Sequence, residues 1–84
     1  MYEINESEDH QLYKAFTYHA PHGNQSERYT QLREFFKAAA VELLVKCPRS
    51  RELSIAMTHL ETANLWANAA IARNEAAPKE EQRA

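Results

Sequence analysis

Breakers of regular structure are scarce in the 84 residues: Gly23 is the only glycine, and the three prolines stand at Pro21, Pro48 and Pro78. Neither type falls between Leu60 and Asn74, and about half of that stretch is Ala or Leu, so helix propensity is high throughout. Cysteine is equally rare. Cys47 alone rules out an intrachain disulfide framework and fits a reducing cytosol. No apolar run reaches the roughly 18 residues a bilayer span needs, so no membrane association is expected. The acidic N-terminus lacks a basic segment leading into an apolar one, and no signal peptide is expected. A surplus of positive charge is missing too. The net charge of −2 argues against a nonspecific nucleic-acid binder, and DNA is not an expected partner.

The distribution of charge is more informative than its sum. Residues 1–24 carry one Lys against four acids, residues 25–74 seven Lys or Arg against five, and residues 75–84 two against three. A mildly basic helical body thus lies between acidic ends. Within it, Leu53, Ala56, Leu60, Ala63, Ala67 and Ala70 recur at gaps of three and four, one stripe down a helix. Four of the six are Ala, so a partner backbone can come close. Asn64 and Asn68 sit beside this stripe one turn apart, with Glu61 a turn earlier. Amides are poor helix-interior residues unless they bond to something, which marks the pair as a recognition or register device.

The rest of the chain divides around this helix into one domain. Residues 1–16 read as a short helix capped by Ser7, with Glu8 and Asp9 favouring its dipole. Leu12, Tyr13 and Phe16 share its docking face. Residues 17–24 form a loop rich in ligand-type groups, Tyr18, His19 and His22, where Pro21 restricts Ala20 and Gly23 is free to take positive φ. His19 and His22 have an H-x-x-H spacing, but no Cys or carboxylate ligand lies near and no metal or other cofactor is expected. Residues 25–75 form a helical hairpin. Asn24 with Glu27 opens its first arm as a capping-box variant, and Tyr29, Leu32, Phe36, Ala39 and Leu43 make the inner stripe. Cys47-Pro48-Arg49-Ser50 ends that arm and Ser50 caps the second. A connection this short forces an antiparallel pair. Residues 76–84 are a polar tail, with Glu75 at its frayed start. The fold class is therefore all-α.

Two long helices share one seam, and each keeps an outer face. Those faces hold Val41, Leu44, Val45, Ile55, Met57, Leu65, Trp66 and Ile71. Leaving them in water costs about 1.5–3 kcal/mol per large side chain, and the short N-terminal helix has too few apolar residues to cover them. Self-association into a homo-oligomer is the expected solution.

Certain segments resemble a known family: Phe16-x-Tyr18-His19-x-Pro21, Gln25-x-x-Arg28-Tyr29, the CPRSRE turn over 47–52, and WANAAIARN over 66–74. Together they resemble the helical-hairpin domain of phage anti-CBASS cyclic-oligonucleotide sponges, a hairpin that phage anti-Thoeris sponges also carry. The resemblance spans roughly residues 16–75, and a chain ending soon after the hairpin looks like the stand-alone anti-CBASS form. It implies a homohexamer in the cytoplasm of the infected bacterial host. Such an assembly sequesters cyclic dinucleotides, and in some members cyclic trinucleotides at a separate site, without cleaving them.

The residues suit that chemistry. A cyclic dinucleotide offers two bases for stacking and two phosphates for cations. Tyr18 on the Pro-braced loop is the expected stacking residue, and Arg28, Arg33 and Lys37 are the expected phosphate ligands. Asn64, Asn68 and Arg73 suit a second site or subunit contacts. The ligand is roughly two-fold symmetric, so a pocket between two protomers would use each residue twice. Enzymatic activity fails on inventory: Cys47 stands beside Pro48 with no adjacent base, and it is expected to pack the hairpin tip. The competing reading is a small helical adaptor that offers its apolar faces to a foreign protein.

Overall fold

The computed structural model describes residues 1–75; the polar tail expected over 76–84 lies outside them. Three helices follow in order, α1 (Glu6–Phe16), α2 (Gln25–Lys46) and α3 (Arg51–Asn74), and no strand occurs among the described residues. The all-α expectation and the hairpin both hold.

The helix starts show which capping signals operate. Asn5, not Ser7, opens α1. Its side-chain oxygen accepts from the Glu8 amide at 2.8 Å, and Glu8 accepts from the Asn5 amide at 3.1 Å. This reciprocal box needs a carboxylate or amide three residues after the cap. Asn5 has Glu8 at that position, whereas Ser7 has His10. Asn24 precedes α2 as expected but caps nothing, because its φ of −93° and ψ of 15° lie outside the extended geometry of a capping residue. Its oxygen accepts from Arg28 Nε at 3.0 Å instead. The Gln25 side chain ties down the loop before the helix, accepting from the His22 amide at 3.1 Å. Ser50 caps α3 as expected, accepting from the Leu53 amide at 3.1 Å. Arg49 donates to the Leu44 carbonyl at 2.7 Å, satisfying an orphan acceptor at the end of α2.

The short link between Lys46 and Arg51 turns α3 back along α2, and half-buried Cys47 lies at this tip. On α2 the seam runs through the expected Tyr29, Leu32, Phe36, Ala39 and Leu43, all half-buried. On α3 it departs from the expected stripe. Met57, Asn64, Asn68 and Ile71 turn inward, while Ala63 and Ala70 are exposed. The reason is periodicity. Five turns of a straight helix take about 18 residues, which places Ile71 under Leu53; the expected stripe took five steps to reach Ala70 and drifted off the face. Asn64 and Asn68 therefore lie in the seam, not beside it. Their Oδ1 atoms are enclosed and meet no donor among the described residues.

The fold is 13 Å in its thinnest dimension, about one helix layer. Only Leu53 and Gln25 fall in the buried class among the described residues, at 6% and 3% exposed. Val41, Leu44, Val45, Ile55, Leu65 and Trp66 are exposed as expected, and Phe35 joins them. The docking expected of α1 through Leu12, Tyr13 and Phe16 is slight. The helix meets α3 but not α2, with Tyr13 half-buried while Leu12 and Phe16 stay exposed.

The caps separate cleanly in a stability test. Ser50→Ala should lower unfolding free energy by about 1 kcal/mol in urea melts. Asn24→Ala, which removes no cap, should cost less than about half of that.

Candidate functional site

The loop between α1 and α2 is fastened at both ends. His19 Nε2 donates to the Lys14 carbonyl at 2.8 Å, and His22 Nε2 donates to the Glu75 carbonyl at 2.8 Å. A carbonyl only accepts, so each ring carries its proton on Nε2. The two imidazoles are thus held by carbonyls of different helix ends, and no group of metal-ligating side chains forms among the described residues. Gly23 has φ of +56°, the left-handed turn that only glycine adopts at little cost. Tyr18 stands on this loop 81% exposed. It plugs no core of a single copy.

Glu75, expected to fray, is instead the anchor beneath the loop. Its carboxylate forms a two-pronged ion pair with Arg28: Arg28 Nη1 donates to Oε2 at 2.9 Å, and Nη2 bonds Oε1. Gln25 Nε2 donates to the same carboxylate at 3.3 Å. The Arg28 bonds, with the Gln25 bond second, hold the Glu75 carboxyl down at about 2, and the same pairing raises the Arg28 guanidinium further. Arg28 therefore has its Nε and both terminal nitrogens engaged by Asn24 and Glu75.

Arg33 and Lys37 lie elsewhere. They border a groove of 410 Å³ between α2 and α3, with Phe36, Met57 and Leu60 as apolar lining and Glu61 and Asn64 as polar groups. Arg33 donates to Thr30 Oγ1 at 3.1 Å, a weak tether that leaves most of its fork available. Lys37 has no ion pair with another described residue. Arg73 belongs to a third place, a cleft of 280 Å³ where α1 meets α3. Its guanidinium lies 5.4 Å from the centre of the Trp66 ring, within cation–π range. The structure thus unites Arg33, Lys37 and Asn64, and it separates them from Tyr18, Arg28, Asn68 and Arg73.

A family model matches this chain of a short helix and a long hairpin. The model for the Acb2/Tad1 hairpin domain covers residues 8–72. The chain belongs to the Acb2/Tad1 hairpin family. No curated protein and no solved structure matches it. Membership carries a general function, that of a nucleotide sponge acting against antiphage defence, and the family binds cyclic oligonucleotides instead of processing them.

Three contributors to this Acb2/Tad1 hairpin escape a reading of the sequence. Glu75 lies just past the last helical turn, where no periodicity applies. Gln25 stands in the resembling segment Gln25-x-x-Arg28-Tyr29, but nothing there points to its bonds with His22 and Glu75. Trp66 reads as outer-face apolar surface, and only the i, i+7 spacing to Arg73 hints that the cation lies over its ring.

The Glu75 clasp sets a pH dependence. A carboxyl that ionises near 2 when folded and near its ordinary 4.5 when released stabilises the folded end fully above about 4.5. That contribution fades as pH falls from 4.5 toward 2. In an NMR titration, the His22 amide and the Gln25 side-chain amide should shift as the native carboxyl takes up its proton near pH 2, not near 4.5, and Glu75→Gln should abolish the shift.

Proposed function

We propose that the chain sequesters cyclic dinucleotides, intact, in the cytoplasm of an infected bacterial host, so that CBASS effectors are not activated. The observation that carries the reading is the groove pairing Arg33 and Lys37 with an apolar lining and with Asn64 and Glu61. Cations suit phosphates, and guanidinium forks do so in two-pronged fashion. A carboxylate and an amide supply acceptors and donors for base edges. Tyr18 supplies an exposed ring for stacking. It does not line that groove, so a ligand touching both would lie between copies, with Tyr18 from one and the cations from another. Arg28 enters the site only by giving up Glu75, which leaves Arg33 and Lys37 as the stronger phosphate ligands. Arg73, with Asn74 beside it, suits a separate site for a cyclic trinucleotide or a subunit contact. Asn68 remains a candidate for a subunit contact, and Asn64 belongs with the Arg33–Lys37 groove.

The assembly is proposed to be a homohexamer. Its support is a one-layer fold with large apolar side chains on its faces, at about 1.5–3 kcal/mol each when left in water. A helical adaptor for a foreign protein would use the same surface. Light scattering separates them: a sponge should run well above dimer mass alone, and Trp66→Ala or Leu44→Asp should break it down or unfold it. A folded, soluble monomer at micromolar concentration would favour the adaptor.

Binding is tested with a panel of cyclic diadenylate, cyclic diguanylate, the mixed adenylate–guanylate ring and cyclic triadenylate. At least one dinucleotide should bind and return unaltered when the protein is heated. Loss of one charged hydrogen bond to phosphate costs about 1.5–3 kcal/mol, so Arg33→Glu or Lys37→Glu should weaken binding by one to two decades with helicity unchanged. Tyr18→Phe should bind nearly as wild type does, and Tyr18→Ala should lose about tenfold or more. If neither charge reversal alters calorimetric affinity, the phosphates are held elsewhere.

A further inference from the structure

Two neighbouring residues at the end of α3 hold opposite sides of the Tyr18 loop. On the α1 side, Asn74 Oδ1 accepts from Lys14 Nζ at 2.9 Å, and the Lys14 carbonyl accepts from His19 at 2.8 Å. On the α2 side, the Glu75 carbonyl accepts from His22 at 2.8 Å and from Gln25 at 3.4 Å, while the carboxylate takes Gln25 and Arg28. Every one of these partners lies within the loop or in the helix turns that flank it. Gln25 is the most enclosed polar residue described, so this end of the molecule is built around the network.

Tyr18 has no hydrogen bond or ring contact with another described residue. A side chain so placed takes its position from the backbone on either side, and a loop fixed in advance loses less entropy when a ligand orders it. We propose that Asn74 and Glu75 form a positioning clasp that presets the Tyr18 ring for stacking on a nucleobase. This rests on the reading of Tyr18 given above. Arg28 then acts through Glu75 and the loop, without touching phosphate. The opposite possibility has a distinct sign: if Glu75 merely occupied an arginine meant for phosphate, removing the carboxylate would tighten binding.

The experiment is a double-mutant cycle between Glu75→Gln and Tyr18→Ala, read by calorimetry with the cyclic dinucleotide of the panel that wild type binds most tightly. Glu75→Gln keeps the backbone carbonyl and its bonds but loses the ion pair. In the Tyr18 background it should lose affinity about fivefold, and in the Tyr18→Ala background less than about twofold, a coupling of ordinary size for linked residues. Amides of residues 17–24 should exchange faster in Glu75→Gln while assembly mass stays constant. Equal losses in both backgrounds, or tighter binding by Glu75→Gln, overturn the clasp alone. Tyr18→Ala binding as wild type does overturns the stacking reading itself, and the clasp with it. Should Glu75→Gln fail to fold, the reversed pair Arg28→Glu with Glu75→Arg is read in its place. Recovery to within about twofold of wild type supports the clasp, and a loss equal to that of Arg28→Glu alone overturns it.

Discussion

A single layer of helices is the constraint from which the other features follow. An amphipathic helix is stabilised mainly by what its apolar face packs against, and α2 offers α3 one seam only. At 13 Å thickness, every side chain is near a surface. Leu53, fixed by the Ser50 cap next to it, is the one large apolar side chain in the buried class among the described residues. Short domains of this size are marginal when alone. Exposed Val45, Leu65 and Trp66 are then a large share of the apolar surface, not an incidental patch. This is the physical support for proposing that copies of the chain complete one another's core.

The seam itself is only partly apolar. Asn64 and Asn68 occupy positions that a hairpin built for stability alone would give to Leu or Ile, and their enclosed carbonyl oxygens have no donor among the described residues. An enclosed acceptor without a partner costs about 1–3 kcal/mol. Asn74, on the same helix, shows the contrasting solution: its amide nitrogen donates to the Ala70 carbonyl at 2.9 Å, and its oxygen takes Lys14. A seam that keeps Asn64 under-bonded trades hairpin stability for a polar group in the Arg33–Lys37 groove, which Asn64 lines.

The elements were legible in the sequence because their signals are local. Pro48 and Ser50 ended one helix and began the next, and Gly23 marked the one position of positive φ among the described residues. Ser7 was misread because a capping hydroxyl was counted without its partner three residues on; Asn5 has one in Glu8. The α3 stripe was misread because the many alanines allowed a three-residue step where the straight helix takes four. The candidate site was legible as an inventory, not as a map. Arg28, Arg33 and Lys37 look like one set along a helix. Their different fates depend on Glu75 and on Met57, Leu60 and Glu61, all far off in sequence, and no spacing rule on α2 carries that information.

Charge pairing then decides what each cation is free to do. Arg28 lies at the open end of the hairpin, within reach of the Glu75 carboxylate just past α3, and the two-pronged pair engages its fork in holding the start of α2 to the end of α3. Arg33 and Lys37 lie one and two turns further along, where Glu61 is the acidic group of the groove lining and neither forms an ion pair with another described residue. An unpaired ammonium beside an apolar lining keeps its full attraction for a phosphate, because no carboxylate has to be displaced first. The same basic face repels its copies unless something anionic lies between them. A dianionic cyclic dinucleotide bound at a junction of copies would neutralise that repulsion while Tyr18 closes over a base. In the proposed assembly, ligand capture and subunit cohesion are therefore favoured by the same charges.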